Sequence, residues 1–270
     1  MSQRPEIISL LGTAHYDRPA TGEELSRLER DLAEALTALG EEPDRVESHV
    51  MYGRRLAYLW RYCEAIAVFS DALDRFGDDA SLYRHRGHRY ISVRRFGPAV
   101  RDLGRAFELE PEDFDICYHL GLARWFLGDW AGAREVYRGF LPRCEDAEQQ
   151  VAMGYWLYMT LRRLDQDAEA KAVLDELGTP EGVSESASYL DLLRLFRGDL
   201  IESDILKSAR ENPLAASTLG FGLGCRYLFE GCPDEASECF LTVTRGSHWP
   251  AFGFIGAEVE LARLRGMLAP

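Results

Sequence analysis

Two sets of small residues recur in this chain at a constant interval of 34 positions. They are Gly53, Gly87 and Gly121, and Ala65, Ala99 and Ala133. A Gly or Ala lets two antiparallel helices approach closely, and a repeat of this length is typical of helix–turn–helix units. Each unit exposes an apolar face that only the next unit can cover, so the pattern predicts a stacked helical solenoid with a concave surface.

The residues around these glycines and alanines form three tandem copies, at 46–79, 80–113 and 114–147. The side chains four before and three after each glycine, and four after each alanine, are His49, Leu56, Phe69, Tyr83, Tyr90, Leu103, Cys117, Arg124 and Tyr137. At these positions the chain resembles the tetratricopeptide-repeat (TPR) family. The runs 84–92, 118–123 and 156–163 resemble a group of bacterial TPR proteins without a settled activity. The resemblance implies a right-handed superhelix in which the first helix of each pair lines the concave face.

Weaker copies of the pattern follow at 151–182, 184–212 and 217–248, and a last helix is predicted over about 250–266. Before the repeats, 22–40 is predicted to be one amphipathic helix with Thr21 as its N-cap and Gly40 at its end. This divides the chain into an N-terminal segment with a leading helix (1–45), three TPR repeats (46–147), and degenerate TPR-like repeats with a capping helix (148–270). The expected fold is one continuous all-α, right-handed TPR-like superhelical solenoid of about five to six helix pairs.

The charge balance narrows the classes of partner. The formal net charge is −14, which argues against a general nucleic-acid binder and against attraction to an anionic membrane. No apolar run approaches the roughly 20 residues needed to cross a bilayer, and the first residues lack the apolar stretch of a signal peptide. We therefore expect a cytoplasmic protein. A cytoplasmic location predicts reduced thiols, and the six cysteines contain no C-x-x-C pair, so we expect no metal or cofactor.

The stretch 80–101 contains no acidic residue, although the protein as a whole is acidic. Its basic residues are Arg84, His85, Arg86, His88, Arg89, Arg94, Arg95 and Arg101. Positive potential concentrated in a concavity attracts anionic ligands, and guanidinium groups bind carboxylate and phosphate well. The alternative is that these arginines are solvated or pair with nearby acids, such as Glu47, Asp102 or Asp115.

The resemblance to TPR proteins also implies which side chains line the groove. At the family's groove positions this chain has Arg54, Tyr58, Arg84, His88, Ser92, Tyr118, Trp125, Tyr155, Arg162 and Arg163. Aromatic residues beside the cations supply flat contact area and cation–π partners. The candidate site would bind an acidic peptide or protein segment, or an anionic small molecule. Its residues are Arg54, Arg55, Tyr58, Arg84, His85, His88, Arg89, Tyr118, His119, Trp125, Tyr155 and Arg162.

Three arginines need a separate explanation. Arg55, Arg86 and Arg89 stand at packing positions that the family pattern fills with small or apolar residues. A buried guanidinium without a partner is costly, so each must find a carboxylate, a carbonyl or a bound anion. Both a structural ion pair inside the solenoid wall and a polar pocket floored by these cations satisfy that requirement.

Three histidines form the only constellation with catalytic chemistry. His85 and His88 lie three positions apart and share a helix face, and His119 follows His85 by one repeat. Three imidazoles could bind zinc with an open fourth position or supply a general base near neutral pH. The flanking arginines disfavour a metal ion, and hydrogen-bonding or packing roles remain the simpler alternatives.

Motifs of known chemistry are otherwise missing from the sequence. It contains no Gly-rich phosphate loop, dinucleotide fingerprint or hydrolase elbow. The Lys and Asn residues of a TPR carboxylate clamp are replaced by Arg54, His88 and Leu122. The preferred interpretation is a TPR binding module or adaptor that holds an acidic peptide in a cationic, aromatic groove. The alternatives are a small-molecule-binding protein or enzyme with a His/Arg/Tyr pocket, and a pure scaffold.

Overall fold

The computed structural model describes residues 4–18 and 22–268, most of which are helical. A short antiparallel strand pair, β1 (Ile7–Ile8) and β2 (Ala14–His15), precedes the helices. The α-helices of the described residues are α1 (Gly22–Glu41), α2 (Val46–Tyr58), α3 (Tyr62–Phe76), α4 (Ala80–Ser92), α5 (Phe96–Leu109), α6 (Phe114–Leu127), α7 (Trp130–Phe140), α8 (Ala147–Arg163), α9 (Asp167–Leu177), α10 (Ala187–Arg197), α11 (Glu202–Glu211), α12 (Pro213–Phe229), α13 (Pro233–Thr244) and α14 (Phe252–Leu264).

These bounds confirm the predicted all-α fold of helix pairs. Each of the three strong sequence repeats is one pair: α2 with α3, α4 with α5, and α6 with α7. The weaker copies are α8 with α9, α10 with α11, and α12 with α13, and α14 is the predicted last helix. The leading helix α1 ends at Glu41, one residue beyond the predicted end, and its predicted N-cap Thr21 lies outside the described residues.

Internal contacts group the chain into two compact units, residues 1–123 and residues 124–270. We call these the first unit and the second unit; the division between them falls within α6. The divisions at 45/46 and 147/148 follow the sequence repeats instead and stay predictions about sequence segments.

The first unit shows why the repeated glycines are small. A Cβ atom added to Gly53 would lie 2.4 Å from the ring of Phe69 on the partner helix, and one added to Gly87 would lie 2.6 Å from Leu103. Both distances are far below van der Waals contact. In these two pairs, the large residue four places after the repeated alanine therefore occupies the space that the glycine leaves open.

The strand pair is joined to this helical stack by polar contacts. The Glu6 carboxylate accepts the backbone N–H of Cys63 at the start of α3, and the Arg18 N–H donates to the carbonyl of Leu59. Ile7 is buried, whereas the neighbouring Ile8 is 60% exposed, as expected for successive residues of a strand.

The second unit has an aromatic core with its own close helix contacts. Trp156 on α8 packs edge-on against Trp125, with ring centroids 5.4 Å apart, and stacks on Phe221 of α12 at 6.0 Å. A Cβ atom on Gly224 would lie 2.4 Å from Phe240, which repeats the glycine contact of the first unit. In the part of the chain that the structure describes, no helix combines the length and apolar character needed to span a membrane.

Candidate functional site

Helices α2, α4 and α6, the first helices of three successive pairs, surround a cavity of about 340 Å³ in the first unit. Its lining residues are Arg54, Ala57, Tyr58, Phe69, Arg84, His85, His88, Arg89, Asp115 and His119. Residues four apart on a helix share a face. This spacing brings Arg54 and Tyr58 to the cavity from α2, and Asp115 and His119 from α6.

Two contacts hold Arg84 in place beside the cavity. Its guanidinium group forms an ion pair with Asp115, and its second terminal nitrogen lies 3.2 Å from Nε2 of His85. A guanidinium group can only donate, so Nε2 of His85 is the acceptor. The proton of the neutral His85 ring is therefore on Nδ1.

Arg54 and Arg89 contribute charge that no neighbouring acid balances. Arg54 lies exposed at the cavity and donates to the hydroxyl of Tyr58 over 3.2 Å. Arg89 is partly buried, with its guanidinium carbon 5.3 Å from the centre of the Tyr62 ring. Among residues 4–18 and 22–268, neither forms an ion pair with a carboxylate. With Arg84 balanced by Asp115, the cavity carries two uncompensated positive charges.

The imidazoles of His88 and His119 lie against each other, with ring centroids 4.0 Å apart. Nδ1 of His119 is 2.6 Å from the backbone carbonyl of Asp115, which can only accept, so His119 carries its proton on Nδ1. The third imidazole, His85, stacks on Phe69 at 5.7 Å. The structure therefore brings together all three histidines that the sequence singled out.

All three imidazoles are uncharged at neutral pH. Burial, reinforced by the charges of Arg84 and Arg89, lowers the pKa of His85 to about 3. Burial lowers the pKa of His119 to about 4, although the nearby Asp115 opposes the shift. Burial and the Arg89 charge lower the pKa of His88 well below its usual value. The positive charge of the cavity thus comes from its arginines alone.

These properties give little support to catalysis by the histidines. An imidazole with a pKa of about 3 or 4 is a weak base at neutral pH and lies far from the pKa that a general base needs. Within the described residues, no three His, Cys, Asp or Glu side chains are placed to share a metal ion. Three guanidinium groups around the imidazoles would also repel a cation.

The three arginines at packing positions have different environments. Arg86 forms a two-pronged ion pair with Asp102, at 2.6 and 3.0 Å, and also donates to the hydroxyl of Ser70. Arg55 lies 3.3 Å from Asp31 on α1 and does not line the cavity. Arg86 and Arg55 therefore act as structural ion pairs, and Arg89 alone contributes to the cavity.

Comparison with solved structures identifies the fold. No protein-family model and no curated protein matches the sequence. A tetratricopeptide repeat protein from Parabacteroides merdae ATCC 43184 superimposes with a TM-score of 0.55 at 17% identity, over 89% of this chain and 94% of that chain. The chain has the TPR fold.

Two further solved structures are similar at lower scores. One is YrrB, described as a TPR protein with an unusual peptide-binding site, with a TM-score of 0.48 and 14% identity over 87% of this chain and 98% of that chain. The other is a chain of the Naa15/Naa10 complex bound to HypK-THB, with a TM-score of 0.44 and 19% identity over 82% of this chain and 34% of that chain. Identities this low describe the fold alone.

Four residues of the candidate site that come from the TPR groove positions do not line the cavity. Tyr118 stacks on Phe114 at 5.7 Å and meets the His119 ring edge-on at 5.3 Å, and it does not line the cavity. Trp125 and Tyr155 are 0% exposed in the core of the second unit and offer no free ring face to a ligand. Their burial follows from the second unit's aromatic packing, which uses these groove positions as core.

Arg162, the fourth of these residues, belongs to the second unit. It lines two cavities there, of about 210 and 370 Å³, and its Nε lies 2.9 Å from Asp167. It also donates to the Tyr158 hydroxyl over 3.0 Å. These contacts give it both a carboxylate and a phenol as partners, unlike Arg89.

Three residues that line the cavity of the first unit are not among the site residues predicted from the sequence. The sequence indicates Asp115 only as an ion-pair partner and Phe69 only as a residue of the repeat pattern, and it does not single out Ala57. The spacing of four between Asp115 and His119 was the available signal for the first. Phe69 comes from a second helix of a pair, which the groove positions of the family do not include.

Proposed function

We propose that this protein is a binding module that recognises an acidic segment of a partner protein by accepting an anionic side chain into the cavity of the first unit. The observation that carries the proposal is Arg89, a partly buried guanidinium group that lines the cavity and has no carboxylate partner among the described residues. Removing a charge from water without a counter-charge is unfavourable. A bound anion would supply that counter-charge.

The surrounding side chains suit an anion. Arg54 and Arg84 come from different helices, so a ligand between them receives hydrogen bonds from more than one direction. The three imidazoles are neutral, so the positive charge that an anion would balance is that of the arginines alone. The rest of the protein is acidic, with a net charge of −14, so the cavity stands out as a positive region that steers an acidic partner to this point.

The composition of the lining favours one charged group of a longer partner over a whole small molecule. Pockets for small molecules are lined predominantly by hydrophobic and aromatic side chains. Here, arginines, histidines and Asp115 supply most of the lining, and only Ala57, Tyr58 and Phe69 differ. A second candidate, a binding site for a small anionic molecule, would use the same arginines.

The test is binding of a fluorescent oligoglutamate peptide to the full chain, followed by anisotropy at increasing sodium chloride concentrations. We expect binding that weakens with salt, because the interaction is between charges near a surface. The variant Arg89→Gln should weaken binding roughly tenfold or more, about 1.4 kcal/mol. Binding that does not change with salt, or an absence of binding, would refute the proposal.

Arg101→Gln provides the matched control. Arg101 lies exposed on α5, in the same acid-free stretch, and does not line the cavity. The substitution removes the same charge, so it corrects for the change in overall charge. Both variants should keep the wild-type thermal unfolding midpoint within a few degrees. An equal loss of binding in both variants would show that overall charge, and not the cavity, binds the peptide.

A further inference from the structure

We infer that the cavity of the first unit selects a doubly charged phosphoryl group, as on a phosphorylated side chain, over a single carboxylate. This inference rests on the proposed function and names its ligand class. Its first support is the charge count: the cavity is lined by three arginines, Arg54, Arg84 and Arg89, and by one carboxylate, Asp115, which pairs with Arg84. A phosphate monoester carries a charge of about −1.5 to −2 at neutral pH and comes close to balancing the excess, whereas a carboxylate leaves one guanidinium group unbalanced.

The positions of the three guanidinium groups are the second support. Arg54 is on α2, and Arg84 and Arg89 are on α4, where they lie five positions apart, about 140° around the helix axis. A carboxylate presents two oxygens in one plane. A phosphoryl group presents three oxygens around a tetrahedral phosphorus and can accept from donors that approach from different directions.

Asp115 adjusts this preference. Its carboxylate is the only acidic group among the described residues that line the cavity, and it is paired with Arg84. It lowers the net charge from three to two and so sets the charge that the ligand must bring. Removing it should strengthen the binding of any anion, while the backbone carbonyl that holds His119 stays in place.

The experiment uses three peptides of one sequence that differ at a single central residue: phosphoserine, glutamate or serine. Binding to the full-length chain is measured by titration calorimetry at neutral pH. We expect the phosphoserine peptide to bind roughly tenfold more tightly than the glutamate peptide, and the serine peptide to show no measurable binding. Inorganic phosphate and sulfate should displace the phosphoserine peptide, and chloride at the same ionic strength should not.

Variants locate the effect. Arg54→Gln and Arg89→Gln should each reduce the preference for phosphoserine over glutamate, because each leaves one excess positive charge. Asp115→Asn should tighten the binding of both peptides severalfold, and Arg101→Gln should leave the preference unchanged. Thermal unfolding of each variant distinguishes loss of binding from loss of fold. An unchanged preference in both arginine variants that remain folded would overturn the inference.

The peptide outcomes separate this inference from the proposed function. If glutamate and phosphoserine peptides bind equally well, the inference fails and the proposed function stands. If neither binds, both fail. If glycerol 3-phosphate binds as tightly as the phosphoserine peptide, the site takes a free phosphate ester, which overturns the assignment to a phosphorylated protein segment.

Discussion

Arg86 and Arg89 lie three positions apart on α4, and their surroundings give them different roles. Asp102 on α5 accepts two hydrogen bonds from Arg86, so this ion pair is part of the contact between α4 and α5. Arg89 has the Tyr62 ring beside it and no carboxylate among the described residues. A cation–π contact is weaker than an ion pair and leaves the guanidinium donors available. Arg86 and Arg89 therefore differ in one respect: a carboxylate pairs with the Arg86 guanidinium group, and none among the described residues pairs with that of Arg89.

The buried imidazoles predict a specific pH dependence of stability. In the folded state the pKa of His119 is about 4, compared with an ordinary value of 6.5. Between these pH values the unfolded state binds more protons than the folded state, so acidification destabilises the fold. The charged groups that face His119 are Asp115, Arg84 and Arg89, and Asp115 limits the shift.

The variant His119→Gln tests this dependence. Between pH 6.5 and pH 4 the wild type should lose more free energy of unfolding than the variant, by on the order of 2 kcal/mol, because the variant lacks the depressed imidazole. The measurement is urea unfolding at a series of pH values. Equal slopes for the two proteins over this range would show that His119 titrates normally in the folded state.

At the scale of the elements, close approach of the two helices in a pair depends on single glycines. The Phe69 ring fills the space above Gly53, and Leu103 fills the space above Gly87. Because the same contact recurs between Gly224 and Phe240, the pairs of both units share one packing rule. Phe69 also reaches the cavity, so the packing of α2 on α3 positions the site as well as the core.

The prediction at this scale concerns Gly53→Ala. The added methyl group would lie 2.4 Å from the Phe69 ring, which must move, so we expect a loss of about 1–3 kcal/mol in the free energy of unfolding. Gly104→Ala is the matched control, because Gly104 lies inside α5 with open space around its Cβ position. That variant should gain up to about 1 kcal/mol from reduced backbone entropy in the unfolded state. A similar change in both variants would argue against the steric account.

On the scale of the whole molecule, the environment of Arg89 in the first unit contrasts with that of Glu260 in the second. The first unit leaves Arg89 without a carboxylate beside a cavity. The second unit encloses Glu260 between Arg163 and Arg263, with the Glu260 side chain 2% exposed. Arg263 further donates to the carbonyl of Phe126 over 3.0 Å. In the second unit the Glu260 carboxylate thus joins α8 to α14 through its ion pair with Arg163.

The variant Glu260→Gln tests this division of roles. Two guanidinium groups would lose their carboxylate, and breaking a buried pair in this way costs about 3–5 kcal/mol. Tryptophan fluorescence during urea unfolding reports mainly on the second unit, because Trp60 alone of the five tryptophans lies in the first. We expect a lower unfolding midpoint with unchanged peptide binding at the first unit.

The control for this variant is Glu230→Gln, which removes an exposed partner of Arg226. Exposed ion pairs contribute about 0–1 kcal/mol, so the control should leave the midpoint nearly unchanged. Equal midpoints for both variants would mean that the buried carboxylate contributes no more than a surface one.

The sequence by itself determined the helix pairs and their order. Gly53 and Ala65 recur with a constant period, and the contacts between paired helices are local in sequence, so spacing alone reveals them. Spacing also predicted that His85 and His88 share a face of α4, since three positions are nearly one helical turn. These features depend on helix geometry, which every chain of this pattern obeys.

Only the tertiary structure decided which arginine remains without a counter-ion. Arg86 finds its carboxylate 16 positions away, at Asp102, and Arg84 finds one 31 positions away, at Asp115. The structure likewise buried Trp125, which the groove pattern had expected to be exposed. Pairing and burial depend on which side chains of separate helices meet, and a one-dimensional pattern does not contain those distances. The unbalanced charge of Arg89, on which the proposed function rests, can therefore be identified only from the tertiary structure.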